Sequence, residues 1–172
     1  MELKSKIREI PDWPEKGVSF KDITPLLQDK EVFSYVIDKM CKPFDFARSR
    51  PDIIVGIDAR GFILSAAMAY KLNTGLAIIR KKGKLPHKTI CQEYKLEYAT
   101  NTIEMHEDAI QKGQKVLLVD DVLATGGTME ATCQIVEKLG GEILGISFLI
   151  ELDYLKGRKK LENYKVDSLI HY

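Results

Sequence analysis

Residues Val116 to Thr128 read VLLVDDVLATGGT, and no other stretch restricts the fold as strongly. Four aliphatic residues in a row, flanked by polar sequence, predict a strand buried on both faces. Ala131, Ile135, Val136 and Leu139 follow with a helical period. A buried strand that feeds a helix through a glycine-rich turn belongs in an α/β sheet, whose ligands bind beyond the carboxyl ends of the strands. At that place a helix N-terminus offers unpaired N–H groups and the positive end of its dipole to an anion. Gly126 and Gly127 let the backbone come close, and Thr125 and Thr128 add hydroxyl donors. With no basic side chain in the turn, a phosphate is held by backbone and hydroxyls. Asp120 and Asp121 would repel that phosphate but suit neutral hydroxyls beside it, so the expected ligand is a ribose phosphate with its diol. The magnesium-binding strand of a P-loop NTPase is similar, yet the chain contains no G-x-x-x-x-G-K-[ST]. A strand-turn-helix without a ligand explains the glycines and leaves the adjacent carboxylates unexplained.

The stretch IIVGIDARGF repeats this layout. A strand over Ile53 to Ile57 ends in Asp58-Ala59-Arg60-Gly61 and enters a helix over Phe62 to Leu72. Arg60 supplies a rigid fork of donors suited to phosphate oxygens, which predicts a second anion site; a surface pairing of Arg60 with Asp58 is the plainer alternative. Leu76 to Ile79 forms the next strand, giving a β-α-β unit and a parallel pair. Arg80, Lys81, Lys82 and Lys84 then crowd around Gly83, either as a solvated loop or converging on a multiply charged anion.

Elsewhere, Leu3, Ile7 and Ile10 have helical spacing ended by Pro11 and Pro14, before a loop carrying Val18 and Phe20. Val32, Phe33, Val36, Ile37 and Met40 mark the buried face of a second helix, stopped by Pro43. Residues 88–106 alternate like a hairpin or mobile flap. Gly140-Gly141 closes the helix after the glycine-rich turn, and Ile143 to Ile150 supplies a last long strand.

Several function classes lose support at this stage. The net charge of +1 gives no long-range attraction to nucleic acid or an anionic membrane. The N-terminus lacks a signal-peptide core, and no apolar run is long enough to span a bilayer. Cys41, Cys91 and Cys133 lack metal-ligand spacing and fit reduced thiols, so the expected compartment is cytoplasmic. His106, Glu107 and Asp108 lack recognised ligand spacing and read as solvated, and His87 and His171 are uninformative.

The Val116–Thr128 stretch resembles the phosphoribosyl diphosphate signature of the type I phosphoribosyltransferases. GVSFKDITP (Gly17 to Pro25), GIDARGF (Gly56 to Phe62), RKKGKLP (Arg80 to Pro86), Glu97-Tyr98 and ELDYLKGRKKL (Glu151 to Leu161) resemble family segments in the family's order. Together they cover nearly the whole chain, and GVSFKDITP, DARGF and the LEY of Leu96 to Tyr98 point to the adenine branch. The resemblance implies one α/β domain over 1–172. Its mostly parallel sheet is flanked by helices, with a small N-terminal hood near 1–30 and a flap over 88–101. It implies transfer of the 5-phosphoribosyl group from 5-phosphoribosyl 1-diphosphate to adenine, giving AMP and diphosphate, in a homodimer that uses Mg²⁺ held mainly through the substrate.

Residue by residue, the resemblance assigns Asp120, Asp121, Ala124, Thr125, Gly126, Gly127 and Thr128 to the ribose 5-phosphate. It assigns Asp58, Ala59, Arg60, Arg80 and Lys84 to the diphosphate, with a strained, cis-type peptide expected at Asp58-Ala59. Part of the basic loop is expected to reach across the dimer interface. Phe20 would stack on adenine while the backbone of Ser19 and Lys21 reads its edge, and Leu152 would close the other side. Glu97, with Tyr98 beside it on the flap, would handle the adenine proton; alternation alone makes Glu97 a solvent-facing strand residue. Together Glu97, Arg60, Asp120 and Asp121 are the expected catalytic set. Ser19 stands where the family often has an aliphatic residue, and Lys21 where arginine is common. Another purine base on the same fold, or a sugar-phosphate sensor without turnover, are the competing functions.

Overall fold

The computed structural model describes residues 2–45, 50–95 and 100–172. They form two compact units, Met1–Lys39 and Met40–Tyr172. In the first, a 3₁₀ turn over Lys4–Lys6 precedes strand β1, Arg8–Ile10, which pairs antiparallel with β2, Phe20–Asp22. The helix expected over Leu3 to Ile10 is therefore replaced by a turn and a strand. Pro11 leaves too few residues to repay helix nucleation, and the ladder to β2 satisfies the backbone instead. The same ladder makes Phe20 a strand residue rather than a loop residue. Helix α1, Thr24–Gln28, follows, and then α2, Lys30–Cys41. Past α2 a 3₁₀ turn over Lys42–Phe44 takes in Pro43, so proline ends the α geometry without ending the coil.

The second unit is built on β3 (Ile53–Ile57), α3 (Arg60–Leu72), β4 (Gly75–Lys81), β5 (Thr89–Lys95), β6 (Thr100–His106), β7 (Lys115–Leu123), α4 (Gly127–Lys138), β8 (Glu142–Glu151) and β9 (Val166–His171). Seven strands lie in the order β5-β6-β4-β3-β7-β8-β9. The ladders joining β4, β3, β7, β8 and β9 are parallel, and the β5–β6 hairpin adds to β4 antiparallel. The expected β-α-β unit is present, with β3 in the predicted place and α3 starting at Arg60 rather than Phe62. The expectation that β8 is the last strand fails, because β9 follows it; its VDSLIH is only half apolar, and an edge strand needs no more.

Val116, Leu117, Leu118 and Val119 are all buried, as a parallel strand covered on both faces requires. Val116 and Leu118 join β3, β4, β8 and the inner face of α4 in one apolar cluster. Helix α3 packs across β3, β4 and β7. A methyl at Gly56 of β3 would lie 2.0 Å from Ser65 Oγ, so glycine is what lets α3 settle on that strand.

The last strands are tied by an ion pair that the sequence did not reveal. Arg158, in a 3₁₀ segment over Gly157–Leu161, donates through Nε and Nη2 to both carboxylate oxygens of buried Glu151 at the end of β8. Its Nη1 donates to Val166 O of β9 at 2.9 Å. The Arg158 guanidinium holds the Glu151 carboxyl below its ordinary value of 4.5, against the opposing effect of burial. Arg158→Met should cost roughly 1–3 kcal/mol at pH 7, discounted because Arg158 keeps one side in water. A depressed carboxyl contributes stability above its unfolded pKa and loses it on acidification. The gap in melting temperature between wild type and Arg158→Met should therefore narrow as pH falls below 4.5; a gap independent of pH would remove the ion pair as its cause.

Candidate active site

The sheet order reverses between β3 and β7. The chain leaves β3 towards β4 through α3, and leaves β7 towards β8 through α4. Open α/β sheets bind ligands in the crevice at such a reversal, beyond the strand ends. A cleft of about 410 Å³ lies there, lined by Asp58, Ala59 and Arg60 after β3, Arg80 and Lys81 at the end of β4, and Asp120, Asp121 and Thr128. Tyr94, Asn101 and Ile103 of the hairpin complete its wall. A smaller hollow of about 80 Å³ adjoins it, lined by Asp120, residues 122–129 and Phe148.

The acidic pair lies within β7, not after it, because β8 keeps pairing as far as Leu123↔Glu151. Asp120 Oδ1 accepts the backbone N–H of Asp121 at 2.8 Å. Burial, and next the neighbouring Asp121 carboxylate, hold the Asp120 carboxyl well above its ordinary range. Asp121 is buried and receives a close ion pair from Arg60 Nε. Arg60 thus crosses to β7 instead of pairing with Asp58, which takes Arg80 Nε at 3.0 Å. Two guanidinium groups and three carboxylates are interleaved around one cleft. A methyl at Gly61 would stand 2.7 Å from Asp120 Oδ1 and 3.2 Å from Val119 O, so this glycine lets the start of α3 reach the acidic pair.

The peptide between Asp58 and Ala59 is cis, as the resemblance implied. Neither α3 nor α4 has a side-chain cap at its N-terminus. For α4 the preceding residue is Gly126, at φ 81°, a left-handed conformation that glycine adopts without strain. Ala124, Thr125, Gly126, Gly127 and Thr128 all line the smaller hollow. The loop is backed by Gly157 of the ELDYLKGRKKL segment. A methyl at Gly157 would fall 2.1 Å from Ala124 O, and one at Gly126 would fall 2.6 Å from Gly157 O, so the two backbones mesh directly.

Lys84 is exposed, and its carbonyl lies 3.4 Å from Arg80 Nη1. Leu152 is buried just past β8, its N–H donating to Leu123 O at the end of β7. In the first unit the Phe20 ring meets Trp13 edge-on at 4.4 Å, a partner with no signal in the sequence. Lys21 is buried, with Nζ 2.8 Å from Glu9 and 3.3 Å from Ser19 Oγ. Glu97 and Tyr98 lie outside the described residues. Glu151, Asp153 and His171 offer three ligand atoms within 4.8 Å of one another, but Arg158 already engages both oxygens of Glu151.

A phosphoribosyl transferase domain model matches residues 26–171. The adenine phosphoribosyltransferase of Thermotoga maritima is 58% identical over all of this chain and 98% of its own length. The chain belongs to the adenine phosphoribosyltransferase family. Crystal structures of family members superpose closely. The enzyme from Thermoanaerobacter pseudethanolicus gives a TM-score of 0.95 at 49% identity, with 99% of this chain and 98% of that one covered. The Saccharomyces cerevisiae adenine phosphoribosyltransferase, solved with an imino-altritol bisphosphate and adenine, gives 0.91 at 36% identity over 98% and 96%. A phosphoribosyltransferase fold with its crevice at the sheet reversal is therefore the frame in which these carboxylates, guanidinium groups and loops are placed.

Proposed function

We propose that this chain transfers the 5-phosphoribosyl group from 5-phosphoribosyl 1-diphosphate to adenine, with the cleft at the sheet reversal as the site of transfer. The reading is carried by one observation. Two adjacent carboxylates and two guanidinium groups line one cleft, and the uncapped helix start behind Gly126 lines the hollow that adjoins it. A ribose carrying a phosphate at one end and a diphosphate at the other presents hydroxyls and anions in that order.

In this reading Ala124 to Thr128 hold the 5-phosphate, and Asp120 and Asp121 face the ribose hydroxyls. Arg60, Arg80 and Lys84, with the backbone of Asp58 and Ala59, receive the diphosphate. As the C1–oxygen bond breaks, positive charge develops on the ribose ring and the electron pair leaves with the diphosphate. Carboxylates on one side and cations on the other favour that separation in the transition state. N9 of adenine forms the new bond to C1, and its proton passes to Glu97, whose role rests on the resemblance.

Mg²⁺ would neutralise the leaving diphosphate, bound chiefly by substrate oxygens and water. The donor set fits such an ion, because Asp58 and Asp121 are each engaged by an arginine. For the base, the pairing of Lys21 with Glu9 supports reading through the Ser19 and Lys21 backbone, and the resemblance adds Phe20 and Leu152 to the base residues. The hairpin β5–β6 takes the part of the flap. A homodimer is implied by the resemblance, and Ile63 and Tyr70, two turns apart on α3 and 44% and 91% exposed, leave apolar surface for it. The three free cysteines support a reducing, cytoplasmic setting. Among the described residues no helix is long and apolar enough to cross a membrane.

A base panel tests the reading. With phosphoribosyl diphosphate and Mg²⁺, adenine should yield AMP and diphosphate in equal amounts, while guanine, hypoxanthine and xanthine yield neither. Turnover of an oxopurine would overturn the assignment of the base residues. Binding without turnover would make the chain a sugar-phosphate sensor.

A further inference from the structure

We propose that Glu104 is a positioning residue for the diphosphate, a buried anionic strut that sets the backbone of the basic loop after β4. Glu104 lies on β6, opposite Arg80 of β4 and Cys91 of β5, and is 3% exposed. Its Oε1 accepts the backbone N–H groups of Lys84 at 2.8 Å and Leu85 at 2.9 Å, and its Oε2 accepts the Thr89 hydroxyl at 3.2 Å. Gly83, at φ 85°, turns the chain immediately before these two donors. Successive N–H groups converging on one anion form a nest, here occupied by a side chain of the protein itself. Burial pushes the Glu104 carboxyl up, yet the bonds from Leu85, Gly83, Lys84 and Thr89 together hold it below its ordinary value, so it is charged at neutral pH.

The consequence falls on the loop's cations. Lys81, Lys82 and Lys84 are exposed and repel one another, and an open loop would spread them apart. Glu104 fixes the backbone that carries Lys84, while Lys82 N–H donates to Thr102 O of the same strand. The loop is thereby registered against the hairpin strand whose Asn101 and Ile103 line the cleft. Glu104 touches no substrate in this scheme and acts through Lys84 and Arg80. The inference rests on the assignment of those two residues to the diphosphate.

Glu104→Gln keeps the shape but turns an N–H₂ group towards donors. In the full-length chain it should raise KM for phosphoribosyl diphosphate, and Kd for inorganic diphosphate with Mg²⁺, by about tenfold or more, while KM for adenine stays within about twofold. Gly83→Ala disturbs the nest from the loop side, where an added methyl meets open space, and should show the same split. Diphosphate affinity unaltered in folded Glu104→Gln and Gly83→Ala would overturn the proposal, as would a parallel rise in both KM values. Wild-type protein that binds diphosphate but makes no AMP would instead count against the proposed reaction alone, because the titration does not need turnover.

Discussion

Asp120→Asn should lower kcat/KM at least about tenfold, the scale of removing one charged interaction from a transition state, and yet melt no lower than the wild type. Both effects come from the same placement. Asp120 sits beside Asp121 in a setting that disfavours a second negative charge, and its carboxyl is held well above the ordinary value of 3.8. Asparagine removes that repulsion and still accepts the Asp121 N–H. During transfer the positive ribose ring supplies the missing partner, and only the carboxylate answers it. The sign can be checked by pH. A raised carboxyl means the native state binds more protons than the unfolded state, so this residue's contribution to stability falls as pH rises from 3.8. Asp120→Asn should lose that slope, and melting curves across the acid range would show it. A folded variant with unchanged kinetics would remove Asp120 from the mechanism.

Gly157→Ala should be at least as damaging, although Gly157 lines neither hollow of the cleft. Its methyl group would stand 2.1 Å from Ala124 O and 2.9 Å from Gly126 N, so one of the two backbones must move. Overpacking of this kind costs about 1–3 kcal/mol, and a displacement near 1 Å at a positioning loop costs on the order of a hundredfold in rate. The loss should appear as a raised KM for phosphoribosyl diphosphate together with a lower kcat, with the adenine KM little changed. Steady-state kinetics with each substrate varied in turn, beside a thermal melt, would separate the two effects. A variant that melts lower but keeps its KM for phosphoribosyl diphosphate would show that the loop does not depend on this packing.

The parts of this molecule that could be read before folding are those whose signal is local. VLLVDDVLATGGT and IIVGIDARGF carry strand, turn and helix in consecutive residues, and the two strands and the helix after Ile53 to Ile57 begin within about two residues of their expected starts. The parts that escaped depend on partners distant in sequence. Arg8–Ile10 became a strand because Phe20–Asp22 lies beside it, and β9 became one because β8 offered an edge. Glu104 and Gly157 carry no local signal for their contacts; only the fold brings Lys84 or Gly126 against them. Arg60 belonged to a legible motif, yet its partner was Asp121 rather than Asp58, a choice made by the packing of α3 against β7.

The ladder between β3 and β7 pairs Ile54 with Leu117, so the two halves of the cleft are joined only when distant stretches of chain meet in parallel. No fragment carrying one signature can organise the other. The entropy of closing that long loop is recovered only by the sheet as a whole, which places this protein among slow, cooperative folders. Recovery of phosphate-loop geometry during refolding should then follow the same time course as burial of the sheet, with no earlier phase of its own.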